Sequence, residues 1–406
     1  MPVGLEVPEK LLPVNGIRIG VVESGIRYAN RKDLVMFEMC EGTSVAATFT
    51  QNRFCAAPVV VAKQNLKKQS PRILLINTGN ANAGTGEKGL EAAHSCCAAA
   101  AKVAGIDSSQ VLPFSTGVIG EYLPLQKILA GLDKAYQVLA EDAWHDAATG
   151  IMTTDIVPKG ISKTLEIDNQ TVTITGIAKG SGMIHPNMAT MLSFIATDAC
   201  IDQDLLQSCL SKAVKTSFNR ASVDGDTSTN DACILMATNK ARHSKITDIE
   251  SPQFMLFYQA FYEICLWLAQ SLVRDGEGAT KFITVAVKGG RNEQDCAEVA
   301  LTVAHSPLVK TAFFASDPNW GRILAAIGRA NIDELNLSKV NISLDDVNIV
   351  KNGEKASTYV EADGQKVMDR QEITIHIELG LGDAAATVWT SDLSHEYIRI
   401  NAEYRS

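Results

Sequence analysis

Short apolar clusters of strand length alternate with longer stretches of helical period over the first half of the chain. Residues 59–61 and 73–76 read as strands, and the Ala-rich stretch 90–103 reads as a helix. Residues 125–139, directly after Pro124, keep a 3.6-residue repeat, and 140–150 continue it after a break. Residues 165–167 and 172–174 flank Asp168-Asn169-Gln170, the pattern of a hairpin. Residues 190–196 read as another strand and 205–217 as a helix. The apolar stretch 254–273 is long enough to be weighed as a membrane span. Gln259, Glu263 and Gln270 fall on one face of it, which marks an amphipathic helix packed on a core. The texture changes at Arg274-Asp275-Gly276-Glu277-Gly278. Beyond it, 282–287, 297–303, 372–378, 387–390 and 396–400 read as strands, and 319–330 as a helix. The change of texture places a domain boundary near residue 280, with one part over 1–280 and a C-terminal part over 281–406.

Composition narrows the class. Of 406 residues, 46% are hydrophobic and 20% charged, which supports a large core and excludes a disordered chain. Asp and Glu outnumber Lys and Arg by 46 to 37, giving a net charge of −9. Neutralising phosphates needs the opposite sign, so no nucleic-acid partner is expected. Nine cysteines form no Cys-x-x-Cys pair, as free thiols in a reducing compartment do; a disulfide framework or structural zinc site would show paired spacing. Residues 1–16 lack the basic segment and apolar run of a secretory signal. A cytoplasmic protein with no membrane partner is the expectation.

Among the motifs, Gly84-Thr85-Gly86-Glu87-Lys88-Gly89 is a literal G-x-G-x-x-G. In a dinucleotide site the first glycine follows the strand almost at once, whereas here Asn77 to Ala83 intervene. A Gly- and Asn-rich loop leading into a helix accounts for it. The stretch from Asp224 to Asp231 is rich in oxygen ligands, yet in EF-hand register the required glycine falls on Thr229 and the terminal Glu on Leu235. A capped turn before 232–237 and the wall of an active site are its other two readings. The seven histidines form no His-x-x-x-His pair, and no metal is expected. The run from Lys179 through Gly180-Ser181-Gly182 and Pro186 to Ala189 and Thr190 has two readings. One is an ordinary loop leading into a strand. In the other, cutting the bond between Ala189 and Thr190 exposes a threonine nucleophile with its own base. An α-amine has a pKa near 7.7–8.0, so roughly a tenth to a fifth is unprotonated at pH 7, against about one in a few thousand for a lysine.

The same run resembles the self-cleavage site of the ornithine acetyltransferases of arginine biosynthesis, also called glutamate N-acetyltransferases. Further blocks carry the resemblance in order: Thr50-Gln51-Asn52-Arg53, Asn77-Thr78-Gly79-Asn80-Ala81-Asn82, Ser115-Thr116-Gly117-Val118-Ile119-Gly120 and Met152-Thr153-Thr154-Asp155. After the cleavage site come Ser217-Phe218-Asn219-Arg220, Asp224-Gly225-Asp226, Arg274-Asp275-Gly276-Glu277-Gly278-Ala279-Thr280-Lys281 and Asp317-Pro318-Asn319-Trp320-Gly321-Arg322. The chain ends on Asn401-Ala402-Glu403-Tyr404-Arg405-Ser406.

The resemblance implies an α/β four-layer αββα sandwich with a smaller C-terminal α+β domain whose tail returns to the active site. It implies cleavage between Ala189 and Thr190, with Thr190 as the nucleophile that carries acetyl from N-acetylornithine to glutamate. Thr116 and Gly117 match the oxyanion hole, and Thr153, Lys179, Thr190, Glu277, Asn401 and Ser406 the substrate contacts. No cofactor is implied beyond acetyl-CoA as a possible second donor, and the assembly implied is a heterotetramer of two α and two β chains. Two competing readings are an amidase or aminopeptidase with the same kind of nucleophile, and a dinucleotide-binding oxidoreductase built on residues 84–89.

Overall fold

A computed structural model describes residues 2–185 and 191–403 of the chain. Ala189, Thr190 and Ser406 therefore lie outside the described residues. The chain divides into two compact units: a larger one of Val7–Asn219 and Asp226–Ala269, and a smaller one of Met1–Glu6, Arg220–Gly225 and Gln270–Ser406. Both are mixed α/β.

The larger unit holds strands β1 (Ile17–Val22), β2 (Leu34–Met39), β3 (Ser44–Phe49), β4 (Ile73–Asn80), β5 (Val111–Val118), β6 (Lys159–Ile167), β7 (Gln170–Lys179) and β8 (Leu192–Thr197). After the two-residue β9 (Ala221–Ser222) of the smaller unit comes β10 (Ala232–Ala237). They form two sheets, ordered β1-β2-β4-β5 and β3-β10-β8-β7-β6. Parallel neighbours need a crossover connection. Helix α1 (Ala57–Leu66) precedes β4, and α2 (Gly86–Ala104) connects β4 to the parallel β5. Then α3 (Leu125–Gln137) and α4 (Trp144–Gly150) follow, and α5 (Gln203–Thr216) lies between the parallel β8 and β10. The division into units falls inside α6 (Pro252–Arg274).

Alternation along β2 shows how this unit is built. Val35, Phe37 and Met39 point into a cluster shared with Phe114, Phe194, Ile234, Met236 and Trp144, which joins the two sheets. Leu34 and Met36 point the other way, into a cluster with Ala93, Ala100, Ile128 and Leu132 of α2 and α3. A strand buried on both faces reads as a continuous apolar run, which Leu34-Val35-Met36-Phe37 is. The rings of Phe194 and Phe114 meet edge-on at 5.2 Å. Each such burial contributes about 1.5–3 kcal/mol.

The smaller unit carries a seven-stranded sheet. To β9 it adds β11 (Phe282–Gly290), β12 (Asn341–Leu344), β13 (Val347–Lys351), β14 (Glu354–Lys355), β15 (Glu372–Glu378) and β16 (Ala384–Ser391), in the order β14-β13-β12-β15-β11-β16-β9. Its helices are α7 (Glu293–Ala304), α8 (Pro307–Phe314), α9 (Trp320–Gly328), α10 (Glu361–Met368) and α11 (His395–Ala402). Val285, Val287, Ile375 and Ile377 pack with Val299, Ala300 and Val303 of α7.

Three expected strands are helices. Residues 59–61 lie in α1, which Pro58 opens at its first turn, the one helical position that needs no N–H. Residues 297–303 lie in α7, where Asn292 caps the Asp295 amide, and Cys296, Ala300 and Val303 repeat with helical spacing. Residues 396–400 lie in α11, capped by Ser394 and tied by Arg399 to Glu396 and Glu403. Their alternating Tyr397, Ile398, Arg399, Ile400 pattern imitates a strand, but capping and ion pairs one turn apart decide the outcome. Among the described residues no helix is long and apolar enough to cross a membrane.

Candidate active site

The C-terminal ends of β4 and β5 form the scaffold of the first group of residues. Each asparagine of the block at 77–82 holds the main chain of its neighbours. Asn77 donates to the Asn80 carbonyl at 2.9 Å and accepts from the Ser115 hydroxyl at 2.5 Å, while the Asn82 amide group donates to the Gly89 carbonyl at 2.9 Å. Asn82 also accepts from the Thr85 hydroxyl at 2.8 Å. The glycines at 84–89 thus serve the turn into α2, and a Cβ on Gly89 would sit 1.9 Å from Thr85 Oγ1. At Gly117 the ladder shifts register and φ is +134°. A Cβ there would lie 2.3 Å from the Gly79 carbonyl carbon, so only glycine allows β5 to pass so close to β4.

Beside it, Thr116 Oγ1 accepts from Lys179 Nζ at 3.1 Å, and both residues are buried. Accepting from an ammonium leaves the hydroxyl hydrogen of Thr116 as a donor and strengthens it. Lys179 ends β7, in register with Leu192 at the start of β8. A second lysine and a carboxylate surround this point. Asp155 Oδ1 accepts from Lys159 Nζ at 2.7 Å and from the Gly180 amide at 2.7 Å, and Oδ2 accepts from the Thr153 amide at 2.9 Å. The side chains of Asp155 and Lys159 are fully buried. Burial opposes ionisation of Asp155, but the charges of Lys159 and Lys179 and its hydrogen bonds prevail and hold it well below the usual carboxylate range. Thr153 is half-buried, its carbonyl accepting from Arg31 at 3.0 Å.

The Met191 amide donates to Asp231 Oδ1 at 3.0 Å, and its carbonyl accepts from the Ala232 amide at 3.1 Å. The oxygen-rich stretch at 224–231 is divided between the units. Asp224 accepts from the Tyr397 hydroxyl at 3.1 Å, while Ser228, Asn230 and Asp231 build the turn before β10.

Glu277 and Asn401 meet in the smaller unit. Asn401 Nδ2, on the last turn of α11, donates to Glu277 Oε2 at 2.8 Å. Most of the block at 274–281 is anchorage. Arg274 grips Glu372 through two nitrogens at 2.7 and 2.9 Å, and the Lys281 amide donates to Asp392 at 2.9 Å. Ser394 Oγ donates to the Gly278 carbonyl at 2.6 Å, and a Cβ on Gly278 would lie 2.5 Å from the Tyr397 amide nitrogen.

The structure therefore brings together Thr116, Gly117, Lys179 and the Thr153 loop in one unit, and Glu277 with Asn401 in the other. Sequence reasoning assigned no role to Asp155 or Lys159, and placed Asn230 and Asp231 only within a stretch read as turn, active-site wall or metal loop. Asp155 stood inside a recognised block, but nothing in the sequence signals that its charge is buried between two lysines.

The ArgJ family model matches residues 18–406. The chain belongs to the ArgJ family. Two full-length relatives, each named arginine biosynthesis bifunctional protein, come from Pseudomonas fluorescens and Pseudomonas syringae. They are 55% and 54% identical over 406 residues, covering 100% of this chain and of theirs. A solved ArgJ structure from Bacillus halodurans is 39% identical over 51% of this chain and 96% of its own, with a TM-score of 0.49. ArgJ membership spans both units, so the blocks at 115–120 and 274–281 lie within one family match.

Proposed function

We propose that the chain transfers acetyl from N-acetylornithine to glutamate through an ester on Thr190, freed by cutting after Ala189. Family membership makes it an acyltransferase of arginine biosynthesis. In the first half-reaction the Thr190 hydroxyl attacks the amide carbonyl, its proton passes to the freed α-amine, and ornithine leaves with that proton. Glutamate's amine then attacks the ester and restores the hydroxyl. Each attack places negative charge on a carbonyl oxygen, and donors fixed beforehand lower that barrier most. The observation that carries the reading is Thr116, its oxygen occupied by Lys179 and its hydrogen left to donate, next to Gly117 at a φ of +134°. Lys179 adds positive charge at the same place.

Thr153, Lys179, Glu277, Asn401 and Ser406 serve as substrate contacts in this reading. Glu277 suits an ammonium group, since among the described residues its carboxylate accepts only from Asn401. Acetyl-CoA is a second donor for glutamate, with no resident cofactor. We further read the two sheets of the larger unit, with the helices outside them, as a four-layer sandwich, and the cut chains as a cytoplasmic heterotetramer.

Denaturing electrophoresis of purified protein tests the cut: fragments 1–189 and 190–406 are expected, and Thr190→Ala should stay one chain. Incubation with N-acetylornithine should add one acetyl group to the second fragment by intact mass. A single full-length band from active protein overturns the mechanism. Measuring acetylation of glutamate from each donor separately decides whether acetyl-CoA serves.

A further inference from the structure

The strap just before β10 is unused by the chemistry above, yet it reaches the neighbours of both proposed reacting groups. Asp231 is 1% exposed and holds the Met191 amide, while the next residue, Ala232, holds the Met191 carbonyl. Met191 is thereby fixed at both of its backbone polar groups, and it is bonded directly to Thr190. One residue earlier, Asn230 Nδ2 donates to the carbonyls of Ala81 at 2.7 Å and Ser115 at 2.9 Å. Ser115 is bonded directly to Thr116. The strap is itself held: the Thr229 hydroxyl donates to Asn230 Oδ1 at 2.6 Å, and the Thr50 hydroxyl to the Ser228 carbonyl at 2.7 Å.

Asp231 is an expensive residue to keep there. Its Oδ2 is buried without a hydrogen-bond partner among the described residues. Burial pushes its carboxyl well above the ordinary carboxylate range, against the opposing effects of Ser228, the Met191 amide and Lys179. Buried polar atoms are normally satisfied, and the exceptions concentrate at working sites.

We propose that Asp231 and Asn230 form a positioning brace. Asp231 fixes the main chain that follows the nucleophile, and Asn230 fixes the main chain that precedes the oxyanion donor. The brace sets the two against each other. This deepens the reading of Thr190 and Thr116 given above and rests on it. Neither residue is assigned a contact with substrate; both act through the backbone.

The test compares wild type, Asp231→Ala, Asp231→Asn and Asn230→Ala for self-cleavage, steady-state transfer and thermal unfolding. Displacing a nucleophile by about 1 Å costs on the order of 10²-fold in rate. Asp231→Ala should therefore be cut more slowly, and its cut fraction should lose about 10²-fold in kcat with KM unchanged. Asp231→Asn keeps an acceptor for the Met191 amide and should recover most of that loss. Asn230→Ala should show the same split between kcat and KM, and it decides the matter if Asp231→Ala does not fold. A wild-type kcat in Asn230→Ala or Asp231→Ala, a raised KM at unchanged kcat, or an Asp231→Asn as impaired as Asp231→Ala overturns the brace. Wild type that forms no acetyl-enzyme and is never cut removes the reading of Thr190 and the brace with it. Wild type that does both, matched by Asp231→Ala, removes the brace alone.

Discussion

Two buried carboxylates, Asp155 in the larger unit and Glu277 in the smaller, are held in opposite ways. Asp155 accepts from a lysine and two backbone amides, with a second lysine near enough to depress its pKa further. Among the described residues, Glu277 accepts from one neutral side-chain amide, on a helix whose own residues are half-buried or exposed. The first has its charge balanced inside the fold. Among the described residues, the second keeps acceptor positions unused. A carboxylate saturated by protein cations is built to stay where it is, whereas one with spare acceptors and no protein cation can receive a charged ligand. Burial alone does not separate the two, since both are less than 9% exposed.

Replacing each carboxylate should break the symmetry in stability first. Asp155→Ala removes the buried carboxylate that pairs with Lys159 and should cost about 3–5 kcal/mol in denaturant unfolding, against less than about 1 kcal/mol for Glu277→Gln. Equal losses from the two would refute the distinction. In activity, Gly117→Ala brings a methyl against Gly79 and moves the neighbouring donors, so kcat should drop about 10²–10³-fold, roughly 2.7–4 kcal/mol. Glu277→Gln should leave kcat nearly unchanged and raise KM for the ornithine-bearing substrate about tenfold, or about 1.4 kcal/mol. A fall in kcat with KM constant would instead place Glu277 in the chemical step.

The smallest expected effect is one of pH. The folded state lowers the Asp155 pKa, so its stabilisation is fully present above the unfolded carboxylate value near 3.9 and is lost only as pH falls through the lower folded value. The gap in unfolding free energy between wild type and Asp155→Asn should therefore be constant from pH 7 to about 5 and shrink under stronger acid. Asp231 has the opposite sign. Its folded carboxyl binds the proton more tightly than the unfolded one, so its contribution weakens as pH rises from the unfolded value. Asp231→Asn should gain on wild type between pH 4 and 7, while Asp155→Asn does not. Lys179 and Cys55 are the charged or titratable groups felt at Asp231 and stay in place in both variants.

The sequence was most legible where one signal acted alone. The hairpin at Asp168 and Asn169 is present with both residues at positive φ, and the polar stripe on α6 correctly marked an amphipathic helix. Leu34-Val35-Met36-Phe37 went unread because a strand buried on both faces shows no alternation. In α1, α7 and α11 the short apolar or alternating run outweighed Pro58, Asn292 and Ser394, the residues that start those helices. At the candidate site, motif blocks singled out Thr116, Gly117, Lys179 and Glu277. Asp231 and Asn230 lay in a stretch that read as turn, wall or metal loop. Their contacts reach Met191, Ala81 and Ser115, 40 to 149 positions away, and no local pattern encodes such distances.

The five-stranded sheet has one further consequence. Its order is β3-β10-β8-β7-β6, so the two strands that follow Thr190 lie between strands that precede it. A chain cut after Ala189 keeps the ladders from β7 to β8 and from β10 to β3, and the pieces stay interleaved without a covalent link. Folding before the cut joins these strands within one molecule. Recovery from denaturation after it is an encounter between two molecules, with a yield that depends on protein concentration. The proposed cut would convert a unimolecular folding problem into a bimolecular one, met only on unfolding after it.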